Sequence, residues 1–137
     1  DSIEQGMILS SNGNIFYRGH DISNAWTQTE ITSVPRDKKA VGVYVGPWTE
    51  NSVVSGSLSL YNAIGEGLIY VTDEGGNIEI GDYICTSSRL GLGMNQGDDL
   101  MRNYTVAKSL ESIDFNSIAT DASGVKKSLI ACTYHCG

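Results

Sequence analysis

The sequence predicts a mainly β domain: a small distorted β-barrel of short antiparallel strands and hairpins, with long loops and at most one or two short helices. Three observations lead there. Sixteen glycines against two prolines supply many sharp turns. Runs of β-branched and aromatic residues are bounded by Gly, Asn and Asp, as strands are. Two of these runs echo one another, and paired halves of that kind close readily into a barrel that leaves no exposed sheet edge.

Taken in order, Gly6-Met7-Ile8-Leu9-Ser10 reads as a strand entering an Asn12-Gly13-Asn14 turn before Ile15. Residues 23–39 are polar and read as a loop containing Trp26 and ending in Pro35-Arg36-Asp37-Lys38-Lys39. Residues 40–46 form a β-branched strand, and Pro47-Trp48-Thr49-Glu50-Asn51-Ser52 a second loop. The strongest local pattern is Gly67 to Thr72, then Asp73-Glu74-Gly75-Gly76-Asn77, then Ile78 to Cys85, which predicts a hairpin. Within it, Gly81-Asp82 predicts a sharp turn whose carboxylate accepts from nearby backbone N–H groups. Residues 89–103 make the longest loop, Gly-rich and then acidic, with Asp98-Asp99 suited to opening a short helix through Asn103. Tyr104 to Lys108 is a further strand, and 126–134 a final one entered through a turn at 121–124. Residues 6–46 and 67–108 read either as an internal pseudo-repeat or as two uses of a common hairpin recipe.

The chain of 137 residues fits one domain, 1–137, with one core. At 40% hydrophobic and 18% charged it is not a disordered polyampholyte. It has no run near the roughly 18 apolar residues of a spanning helix, so no membrane insertion is expected. Nine Lys and Arg against sixteen Asp and Glu give a formal charge of −7. Such a surface repels phosphate backbones, and no nucleic-acid partner is expected.

Common catalytic signatures are missing: there is no P-loop, no dinucleotide-binding glycine pattern and no His-Glu-x-x-His. Cys85, Cys132 and Cys136 are too few for a disulfide scaffold, and Cys132-Thr133-Tyr134-His135-Cys136 lacks zinc-site spacing. The reading preferred for these thiols is as small buried hydrophobes, with no metal and no cofactor. His20-Asp21 reads as a surface turn, and Asp98-Asp99 as solvated carboxylates rather than a cation site.

The sharper chemistry lies in Asp1-x-x-Glu4. An Asp on the C-terminal side of a peptide bond can attack the preceding carbonyl carbon through a six-membered ring, an intramolecular geometry that supplies much of the rate. Glu4 is then placed to activate water or protonate the departing amine, provided burial lifts its pKa. The chain opens on Asp1 with neither initiator Met nor signal segment, which suits a product of cleavage and equally an arbitrary boundary.

These features occur in a particular order: Asp1-x-x-Glu4, Gly67-Leu68-Ile69-Tyr70-Val71, Gly76 to Ile84, and Tyr104 to Glu111. In that order the chain resembles the C-terminal auto-processing intramolecular chaperone domain of phage neck appendages, tail fibres and tailspikes, most specifically over about residues 60–111. The resemblance implies a homotrimer that registers an upstream fibre or β-helix segment of the same polypeptide. It also implies self-cleavage at a Ser-Asp bond whose Ser precedes this chain, with Asp1 and Glu4 as the catalytic residues. The expected location is the virion during assembly, after synthesis in the host cytoplasm. Ser2-Ile3 depart from the aromatic residue that commonly follows the family's Asp. Trp26, Trp48, Met94, Leu100 and Met101 are candidates for the threefold contact, or for the domain's own core. Two other readings stay open: a non-cleaving tail-tip module binding a host glycan or receptor, and a small β-barrel assembly domain in another setting.

Overall fold

Short runs of strand-forming residues, broken by glycine-bearing turns, give nine strands among the described residues: β1 (Ile8–Tyr17), β2 (Ala25–Ile31), β3 (Ala40–Trp48), β4 (Leu58–Asn62), β5 (Ile64–Thr72), β6 (Tyr83–Thr86), β7 (Gly93–Asn95), β8 (Thr105–Ser109) and β9 (Lys127–His135). The computed structural model describes residues 2–17, 19, 22–48 and 58–136, with the side chain of Trp48 outside that set. The only helical pieces among them are 3-10 turns at Asp73–Gly75 and Phe115–Ser117. The protein is mainly β, as the sequence predicts.

The strands form two groups. β5, β7, β6, β8 and β9 close into a ring in that order. β9 pairs antiparallel with β5 along its whole length, from Ile64↔His135 to Thr72↔Lys127. The closing link, β5 to β7, is parallel through Val71↔Gly93. Ile69, Val71, Ile84, Val106 and Ile130 of the ring strands are buried in one cluster, which Ile78 and Phe115 join from outside those strands.

The second group is a sheet in the order β2-β1-β3-β4. β1 and β3 share only the short overlap Ile8–Ser10 against Val43–Ala40. Because they run antiparallel, β1 continues past that overlap with β2 alone, and β3 continues the opposite way with β4. The sheet is therefore two two-stranded ribbons joined at a central seam. That seam packs on the ring: Ile8 and Val43 belong to the same buried cluster as the ring core.

Several sequence expectations are corrected. The runs 67–72 and 78–85 do not form a hairpin: β5 pairs with β9 and β7, whereas β6 pairs with β7 and β8. The intervening turn chemistry is right, with Gly76 at φ +88°, but it leads into an isolated bridge between Ile78 and Ile113. Asn12-Gly13-Asn14 is a bulge within β1 and not a turn between strands. There the Asn12 carboxamide accepts the Asn14 N–H at 2.9 Å, and Gly13 takes φ +89°. Part of the loop expected at 23–39 is strand β2. No helix starts at Asp98; its carboxylate instead accepts from Gln96 Nε2 (2.6 Å) and Arg102 (3.3 Å). The Gly81-Asp82 turn is as expected, with Asp82 Oδ2 accepting the Glu79 N–H at 2.8 Å.

Candidate functional site

The segment behind Asp1 is woven into both halves of the fold. Gly6 donates its N–H to the Tyr44 carbonyl on β3 and accepts the Tyr70 N–H on β5, each at 2.9 Å. Its φ of +98° suits glycine, and a Cβ there would stand 2.7 Å from Leu129 Cδ2. Met7 accepts from the Tyr44 N–H at 2.8 Å and donates to the Glu4 carbonyl at 3.1 Å, closing a tight turn. Ile8 then donates to Gly91 and accepts from Thr32. Residues 4–8 are thus fixed by backbone bonds to β3, β5 and two loops.

This turn presents Glu4 at the mouth of the β5–β9 pair. Its Oε2 accepts a hydrogen bond from Lys127 Nζ at 3.1 Å. That ammonium lies 5.1 Å from the centroid of the Tyr70 ring, within cation–π range. The hydrogen bond to Glu4 raises the Lys127 pKa, opposed by desolvation and aided by the charges of Glu4, Tyr70 and Asp121. A proton acceptor and a proton donor therefore stand side by side. Glu4 is exposed, so the burial expected of it is not found among the described residues. Asp1 lies outside the described residues, as do His20 and Asp21. Lys127 escaped sequence reasoning because it sits 123 positions from its partner.

The remaining candidates divide. Cys85 and Cys132 are wholly buried packing residues, and burial pushes the thiols of Cys85, Cys132 and Cys136 up to about 11, 12 and 11. Among the described residues no three His, Cys, Asp or Glu side chains converge as metal ligands would. An open depression is lined by Asp82, Asn95, Gly97, Asp98 and Asp99. Its polar groups are largely spent within the fold, because Asp82 also accepts from Asn95 Nδ2 and Asp98 takes Gln96 and Arg102. Met94 is in the core, Trp26 is half-buried, and Leu100 and Met101 are exposed. The Trp48 side chain lies outside the described residues. Comparison with protein-family models, curated proteins and solved structures returns no match for this chain.

Proposed function

We propose that this chain is a C-terminal intramolecular chaperone of a phage or viral fibre. Three copies associate, register the upstream fibre or β-helix segment of the same polypeptide, and are released by autoproteolysis before Asp1. The sequence resemblance supplies the family. The structural observation that carries the reading is the anchoring of residues 4–8, which holds Glu4 beside Lys127 immediately downstream of the expected cut.

The chemistry balances without a cofactor. The Asp1 carboxylate attacks the carbonyl carbon of the preceding residue, the C–N bond breaks, and the upstream acyl group passes to an Asp1 oxygen as a mixed anhydride. The departing nitrogen takes a proton from the Glu4–Lys127 pair and becomes the α-amine of Asp1. Water then adds to the anhydride, returns one proton to the pair through Glu4, and leaves one carboxylic acid and one carboxylate. Positioning supplies most of the acceleration, and the proton relay the remainder.

The assembly logic is physical. Register slips between long β segments are slow to undo, and a domain that associates first raises the local concentration of the upstream strands to about the millimolar range. Release afterwards makes the product a kinetic trap. A precursor carrying its natural upstream segment tests the reading. Scission is expected once the chains assemble, with Asp1 as the new N-terminus. Asp1→Ala abolishes it, and Glu4→Gln slows it by about a hundredfold or more. Lys127→Met slows it less and alters the alkaline limb of the pH–rate profile. An unmutated precursor that assembles and stays whole overturns the proposal.

A further inference from the structure

The β1–β2 ribbon lacks what a sheet needs to persist in water. Beyond Ser11, every β1 residue through Tyr17 is exposed, so both faces of the ribbon meet solvent. It runs roughly 20 Å at the usual rise per strand residue. A lone two-stranded ribbon is marginal in water; a covered face is what normally stabilises one. Beside the polar Asn12, Asn14 and Gln28, the exposed side chains include three that are large and apolar: Ile15 (44%), Phe16 (39%) and Tyr17 (71%). Phe16 pairs across the strands with Trp26, ring centroids 6.1 Å apart. Neighbouring positions on a strand point to opposite faces, so Phe16 and Tyr17 offer apolar surface on both sides at once.

Charge identifies the cover. The chain carries −7, yet the one charged residue of β1 and β2 is Glu30, paired with Ser10 at the seam, and residues 18–24 between them add one Arg and one Asp, a net of zero. Identical copies of an acidic protein repel wherever their charged surfaces meet, and an arm of no net positive or negative excess along its outer length, bearing exposed apolar side chains, is where they approach at low electrostatic cost. The β3–β4 ribbon, which leaves the seam in the opposite direction, is free of charged residues over 44–48 and 58–62 and exposes Val45, Leu60 and Tyr61. We infer that the β1–β2 ribbon is an assembly arm that packs against neighbouring copies of this chain, the β3–β4 ribbon of the next copy being its natural seat. Two arms pointing opposite ways make the contact heterologous, the kind that closes into a ring of copies when the rotation permits. This inference rests on the proposed association of copies and adds the surface that performs it.

The test is the solution mass of the 137-residue chain by sedimentation equilibrium at micromolar concentration, paired with photo-crosslinking. The native chain is expected to associate. The double change Phe16→Asp, Tyr17→Asp is expected to weaken association by a hundredfold or more, and Ile80→Asp, at an equally exposed site off the ribbon, to leave it intact. Benzoylphenylalanine placed at position 17 is expected to crosslink copies, and at position 80 not to, which decides the matter even where the double variant fails to fold. An associated chain that crosslinks from position 80 and not from 17 overturns the arm while leaving the proposed function standing. A chain that stays single at every concentration overturns both.

Discussion

The closed ring and the β1–β2 ribbon are built from the same kinds of strand residue, yet they bury them in opposite ways. In the ring, Ile69, Ile84 and Val106 are fully enclosed, because each strand has a neighbour on both edges and the closure supplies an inside. In the ribbon, Ile15, Phe16 and Tyr17 lie in succession on a strand that, among the described residues, β2 borders on one edge only, and all three stay exposed. The lesson is that strand propensity fixes local conformation while topology decides what becomes core. Truncation is the bluntest way to break the comparison. Ile84→Ala is expected to cost about 2–5 kcal/mol of unfolding free energy in a denaturant titration, and Ile15→Ala in the dissociated chain less than about 0.5. Equal costs at both sites end the distinction.

Glycines sharpen it further. Gly67 lies beneath Tyr134, whose hydroxyl donates to the Leu68 carbonyl at 2.6 Å, and a Cβ at 67 would collide with that ring. Gly67→Ala is expected to lose about 1–3 kcal/mol by displacing the tyrosine. Gly13→Ala in the ribbon meets open space and pays only for its left-handed backbone, about 1 kcal/mol. Both are read from denaturation midpoints at fixed protein concentration.

Alkaline pH probes the ring's interior chemically. The ordinary thiol value is 9.0, and burial pushes Cys132 up to about 12 and Cys85 to about 11 in the folded chain. The folded state therefore holds these protons more tightly than the unfolded state. Their contribution to stability is complete below pH 9 and is lost as pH rises through 11 to 12. Midpoints are expected to fall over that window, and Cys132→Ala to flatten the slope.

How much of this was legible in the sequence follows the same division. The final strand was readable because Ile130, Cys132 and Tyr134 alternate with more exposed residues, the signature of one covered face. β2 was not: Trp26-Thr27-Gln28-Thr29-Glu30-Ile31 has no fully buried position, so no hydrophobic alternation marks it and its polarity reads as loop. The turn around Gly75-Gly76-Asn77 was recognisable, but the partner of β5 was not. Strand pairing is non-local, and the antiparallel mate of Tyr70 is Leu129. For the candidate site, Glu4 was visible as a carboxylate near a chain end. Its tie to Lys127 exists only because Gly6 pins the turn against β5, beside β9.

A small gain in stability is expected at the junction between ring and sheet. Thr32 is buried there, its N–H bonded to Ile8 and its carbonyl to Gly91, while its Oγ1 has no hydrogen-bond partner among the described residues. A buried hydroxyl left unpaired costs more than the same shape without it. Thr32→Val is therefore expected to raise stability by about 0.5–1 kcal/mol. The same change at Thr72 tests the logic in reverse: that hydroxyl donates to the Lys126 carbonyl at 2.8 Å, so Thr72→Val is expected to lower stability by about 1 kcal/mol. Opposite signs at two buried threonines mark the junction as dry and the ring as fully hydrogen-bonded. A loss at both sites instead means that Thr32 holds a bridging water, and that sheet and ring meet across a wet seam.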